Sequence, residues 1–251
     1  MLHPLKLKFF AVLLVILLAA CAAPTPAPTA TQSVPTSALP PPTQAASIET
    51  PIPVIPGVQV DIPVNTDTFT GTFPATITGS GHIAIILTNT ESNDSLLWLP
   101  LVNALQGNQN LRVVTFAFRD VHSSSAVDTR AIFDYLRAER IGRLICMGSY
   151  YGAGACAALR SEPEIVGMVF FPSPTIPKIE ENFPKLFITA DADPSGYIGP
   201  LQRAYDQAVE PKVFKSYASG RHGPTLFTDP EVGSQVLADI VTFVDEIVHS
   251  Q

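Results

Sequence analysis

Three short segments hold residues whose types can do chemistry. Gly148-Ser149-Tyr150-Tyr151-Gly152-Ala153-Gly154 offers a serine hydroxyl and two phenols among small residues. Ala190-Asp191-Ala192-Asp193-Pro194 offers two carboxylates, and Gly220-Arg221-His222-Gly223 an imidazole. Serine, histidine and aspartate can work as one unit: the hydroxyl attacks a carbonyl, the imidazole takes its proton and later returns it, and the carboxylate orients the imidazole. In that chemistry Ser149 attacks, His222 is base and then acid, and Asp193 orients His222. A fourth reactive group stands apart from these. Cys21 follows Leu18-Ala19-Ala20 at the end of an apolar run, where a thiol can accept a lipid.

The elements that must position these residues alternate in type. Ile83 to Leu87 is continuously apolar and β-branched, the pattern of a strand buried on both faces. Further strands are expected at Thr68 to Phe73, Val113 to Phe118, Leu144 to Met147, Ile165 to Phe171, Leu186 to Thr189 and Val213 to Tyr217. Leu96, Leu97, Leu101 and Leu105 recur at helical spacing, with Ser92, Asn93 or Asp94 available as a cap. Helices are also expected around Ala131 to Leu136, from Gly152 to Arg160, near Leu201 to Val209, and along Val236, Ile240, Phe243, Val244 and Ile247. Gly79-Ser80-Gly81 reads as a turn. Such alternation predicts an α/β fold, a doubly wound and mostly parallel sheet with helices on both faces. Ligands of such sheets sit at the carboxyl ends of the strands, and all three chemistry-bearing segments follow predicted strand ends.

Gly148-Ser149-Tyr150-Tyr151-Gly152 resembles the nucleophile elbow of the α/β-hydrolase superfamily, a G-x-S-x-G turn from strand to helix. Small residues must stand two before and two after its centre, and Gly148 and Gly152 have that spacing. The turn bearing Asp193 and the loop bearing His222 look like the family's acid and histidine loops, in the family's chain order. The resemblance spans roughly Thr68 to Val248 and is nearest to lidless, dienelactone-hydrolase-like members, because too few residues separate the elbow from Asp193 for a cap domain. It implies an oxyanion hole of backbone N–H groups, for which Tyr151 and either Asn89 or Thr90 are the candidates. The departure is at the centre of the elbow. The family places serine there, or sometimes cysteine or aspartate, and this chain has Tyr150. A phenol has an unperturbed pKa near ~10, and its oxygen lies beyond the place of a serine oxygen. Taking Ser149 as the centre instead puts Met147 and Tyr151 where small residues are required.

The ends of the chain carry their own signals. Lys6 and Lys8 precede an apolar run from Phe9 to Ala20, too short to span a bilayer and typical of a secretory signal. Leu18-Ala19-Ala20-Cys21 resembles the lipobox of bacterial lipoproteins, which implies a signal peptide over residues 1–20 and acylation of Cys21. From Ala22 to Pro56 the chain is mainly Pro, Thr, Ala and Ser, with Glu49 the only charge, so residues 21–57 are expected to be a disordered tether. The folded domain is expected over 58–251. The implied location is the extracytoplasmic face of a membrane, held there by the lipid on Cys21.

Other partners are narrowed by charge and spacing. Net charge is −7, and removing the signal leaves 13 basic against 22 acidic groups. Such a surface repels a phosphate backbone, which argues against nucleic acid. His82, His122 and His249 show no metal-ligand spacing, and neither a metal nor an organic cofactor is expected. Cys146 and Cys156 read as buried free cysteines, with a bond between them left open. Trp98 reads as core, and His122 as belonging to a solvated loop. Two functions remain. In the first, an exported domain with Tyr150 at the nucleophile position is non-catalytic and binds a small ligand or partner. In the alternative, it is an active hydrolase of a small ester or acyl compound that uses Ser149, His222 and Asp193.

Overall fold

The computed structural model describes residues 53–88 and 94–250. The cap candidates Ser92 and Asn93, the oxyanion candidates Asn89 and Thr90, and Cys21 with the signal and the tether up to residue 52 lie outside the described residues. Among the described residues eight strands form one sheet: β1 (Val58–Asn65), β2 (Thr70–Thr78), β3 (Ile83–Thr88), β4 (Leu111–Phe116), β5 (Arg143–Gly148), β6 (Ile165–Phe170), β7 (Lys185–Ala190) and β8 (Lys212–Tyr217). Their order is β1-β2-β4-β3-β5-β6-β7-β8. β1 and β2 are antiparallel neighbours, β2 is antiparallel to β4, and every pairing from β4 through β8 is parallel.

Strand alternation divides the core in two. In β3, Ala84 and Ile86 face one side of the sheet, whereas Ile83, Ile85 and Leu87 face the other. The first side is covered by α2 (Ser125–Ala138), α3 (Tyr151–Ala157) and α4 (Ile198–Gln207). The second is covered by α1 (Leu99–Leu105) and α5 (Gly233–His249). Trp98 is fully buried on the second side, edge-on to Phe171. Asp94 is the cap of this region: it accepts the Leu96 N–H at 2.9 Å and starts a 3-10 turn that runs into α1.

Two features differ from the sequence reading. β1 was not expected. It is an edge strand in which Val60, Ile62 and Val64 turn inward while Asp61 and Pro63 turn outward, and Pro within a run argues against a strand except at a sheet edge such as this one. Cys146 and Cys156 are joined by a disulfide, where free thiols were the simpler reading. The cause is register. Leu144 and Cys146 point to the α2–α3–α4 side of β5, so Cys146 meets the helix that begins directly after the strand. The bridge therefore ties β5 to α3 behind the bend that joins them.

The sheet also marks where a ligand belongs. From β3 the chain crosses to β4 on one side, then returns past β3 to β5 on the other. The crevice at such a reversal, at the carboxyl ends of β3 and β5, is the usual ligand position of an open α/β sheet.

Candidate functional site

The bend between β5 and α3 is centred on Tyr150, whose φ of 55° and ψ of −124° lie in a region L-residues rarely occupy. Such strain costs on the order of 1–3 kcal/mol and persists only where the surroundings enforce it. Several hydrogen bonds do so. Tyr150 N–H donates to Pro172 C=O at 3.0 Å, Phe171 N–H to Gly148 C=O at 2.9 Å, and Gly152 N–H to Ser149 C=O at 2.9 Å. The bend is also too tight for side chains at its base. A Cβ on Gly148 would lie 2.4 Å from the Gly152 carbonyl and 2.5 Å from Thr88 Oγ1. Tyr151 is the first residue of α3, so its N–H is among those a helix does not pair internally.

Ser149 continues the alternation of β5 past Ile145 and Met147 and turns toward the α1–α5 side. It is fully buried, and its Oγ has no hydrogen-bond partner. It lies under the histidine loop: a Cβ built on Gly223, at φ +52°, would stand 2.5 Å from Ser149 Oγ. Ser149 Oγ is not hydrogen-bonded to His222.

Asp193 and His222 do meet. The loops after β7 and β8 are laced together by Asp191 N–H to Tyr217 C=O at 2.9 Å and Ala192 N–H to Ser219 C=O at 3.1 Å. His222 is fixed by its own N–H donating to Thr225 Oγ1 at 3.1 Å, while Thr225 Oγ1 donates back to His222 C=O at 2.6 Å. His222 Nδ1 then sits 3.0 and 2.9 Å from the two Asp193 oxygens. Burial opposes ionisation of Asp193, but hydrogen bonds from His222 and Ser195 outweigh it and hold the carboxyl below its ordinary value. With Nδ1–H donating to that carboxylate, the neutral imidazole carries its lone pair on Nε2. Nε2 is buried and has no partner. The pair can therefore accept a proton, or a hydrogen bond, at one defined atom.

Rings surround the bend. Tyr150 stands edge-on to Tyr151 at 4.5 Å between centroids and tilted to Tyr197 at 5.5 Å. His122 is edge-on to Tyr151 at 4.9 Å. His122 is exposed, in keeping with a solvated loop, yet its ring joins this array. Tyr197 was not singled out in the sequence, since nothing in Asp193-Pro194-Ser195-Gly196-Tyr197 carries a local signal for it. Among the described residues no group of three or more His, Cys, Asp and Glu side chains is arranged to hold a metal.

A mostly parallel eight-stranded sheet with a strained strand-to-helix bend after β5 and an Asp–His pair on the loops after β7 and β8 has an α/β-hydrolase-like fold. The likeness extends to solved structures at low identity. A monoacylglycerol lipase from Paleococcus ferrophilus superposes with a TM-score of 0.58 at 15% identity, over 70% of this chain and 98% of that one. An esterase from Pyrococcus furiosus gives 0.60 at 13%, over 76% and 91%. A Xanthomonas campestris α/β serine hydrolase without a lid gives 0.51 at 16%, over 66% and 86%. No family model and no curated protein matches the sequence.

Proposed function

We propose that this chain is a lipid-anchored, extracytoplasmic protein of α/β-hydrolase fold that binds a small ligand at the carboxyl ends of its strands and does not perform serine-type acyl transfer. One observation carries the reading: the bend is centred on Tyr150, while Ser149, the adjacent hydroxyl, is sealed beneath Gly223 and unbonded to His222. A phenol at the bend has the wrong reach and too high an ordinary pKa to replace a serine. In this reading residues 1–20 are a signal peptide, Cys21 carries the lipid, and residues 21–57 tether the domain. The Cys146–Cys156 disulfide supports export, since such bonds persist in oxidising compartments. Replacing Cys21 by alanine should release the protein from the membrane fraction.

The second reading is an active ester or acyl hydrolase using Ser149, His222 and Asp193. It is favoured by the formed Asp193–His222 pair with a free Nε2, and by the esterases and lipase whose fold this chain shares. The likeness to dienelactone-hydrolase-like members belongs to this reading as well. Labelling with a fluorophosphonate, together with hydrolysis of short p-nitrophenyl esters, separates the two. No labelling of a folded protein is expected. Labelling that disappears in Ser149→Ala would establish the second reading.

A further inference from the structure

The ring array at the bend has the makings of a binding surface. His122 is exposed, Tyr151 and Tyr197 are half-buried, and Tyr150 beneath them is buried. The phenol oxygens of Tyr151 and Tyr197 have no hydrogen-bond partner among the described residues. None of the four rings carries a fixed charge, which suits a neutral ligand. Their mutual orientation narrows the shape. Interplanar angles of 84°, 85° and 52° run from His122 through Tyr151 and Tyr150 to Tyr197. Rings so tilted cannot form a parallel slot for a flat aromatic. They make a corrugated surface in which apolar faces alternate with hydroxyl and imidazole edges. A puckered ring that carries C–H groups on its faces and hydroxyls at its rim is the complement.

The entry of the chain adds a direction. Val58 opens β1 opposite Ile77 near the end of β2, and β2 runs antiparallel to the parallel strands. The chain thus enters the domain at the amino end of the sheet, whereas the rings lie at the carboxyl end. One strand length, roughly 20 Å, separates the two ends. The rings thus lie at the end of the sheet opposite Val58.

We propose that the surface formed by His122, Tyr151 and Tyr197, packed around the buried Tyr150, binds a neutral saccharide. This rests on the non-catalytic reading above and names its ligand class. The test titrates the full-length, detergent-solubilised protein with neutral oligosaccharides (chitotriose, cellotriose and maltotriose) by calorimetry and saturation-transfer NMR. At least one should bind. Tyr151→Ala and Tyr197→Ala should each weaken binding by about tenfold, the loss of one good ring contact. Tyr151→Phe, which keeps the ring and should keep the fold, should weaken it by a smaller factor. No binding of any of the three, or binding indifferent to Tyr151→Ala and Tyr197→Ala, would overturn the proposal. So would ring-dependent binding of phosphatidylglycerol vesicles without saccharide binding. Fluorophosphonate labelling on the same sample keeps the two failures apart. An unlabelled protein that binds no saccharide refutes the ligand class alone, whereas labelling at Ser149 refutes the reading beneath it.

Discussion

Replacing Ser149 by alanine should stabilise the domain. A serine serving as nucleophile is bonded to its histidine, and its loss would forfeit a hydrogen bond worth about 1 kcal/mol. Here the hydroxyl is fully buried and unpartnered, a state that costs about 1–3 kcal/mol of desolvation. Removing it should return about 1–2 kcal/mol, a rise in Tm of roughly 2–8 °C for a domain of this size. Gly223→Ala provides the matching perturbation. Its Cβ would meet Ser149 Oγ at 2.5 Å, from a backbone at φ +52°. The left-handed backbone costs about 1–2 kcal/mol and the overpacking a further 1–3 kcal/mol. In a Ser149→Ala background the nearest atom becomes the residue 149 Cβ at 3.4 Å, an ordinary contact. Only the backbone cost should then remain. A double-mutant cycle by urea unfolding should therefore show a favourable coupling of about 1–3 kcal/mol between the two sites. Strict additivity, or a Ser149→Ala variant that is less stable than the parent, would refute the placement of Ser149 beneath Gly223.

Other perturbations have equally definite outcomes. Breaking the Cys146–Cys156 bridge by Cys156→Ala frees a loop of sequence separation 10, which should cost about 3 kcal/mol and lower Tm by roughly 6–12 °C in a thermal melt. The Asp193 carboxyl titrates below its ordinary value in the folded state, so its contribution to stability is present above the unfolded pKa and is lost as pH falls through the folded one. Asp193→Asn should thus destabilise the protein at pH 7, and the gap from the parent should shrink below about pH 4 in acid unfolding curves. Tyr217 donates to Asp239 at 2.6 Å from a nearly buried position, and Tyr217→Phe should cost about 1 kcal/mol in urea unfolding.

What the sequence disclosed follows from which contacts are local. β3 and β5 are short apolar runs buried on both faces, and burial of that kind writes itself directly into composition. The bend was readable because its steric demand falls on Gly148 and Gly152 within the same turn. β1 was not, because Pro63 argues against a strand although Val58, Val60, Ile62 and Val64 alternate correctly, and only its edge position beside β2 makes the proline tolerable. The disulfide was not, because the spacing of Cys146 and Cys156 gains meaning only once the face of β5 and the start of α3 are known. The seat of Ser149 under Gly223 and the approach of Tyr197 to Tyr150 depend on loops far along the chain, and neither leaves a local mark.

The most direct measurement is mass-spectrometric mapping of fluorophosphonate adducts on the parent and on Tyr150→Ser. The bend, its glycines and the Asp193–His222 pair are already in place, so a hydroxyl restored at the centre should be labelled at residue 150, while the parent remains unlabelled. An adduct on Ser149 of the parent, or a folded Tyr150→Ser protein that takes no label, would contradict the placement of Tyr150 at the nucleophile position.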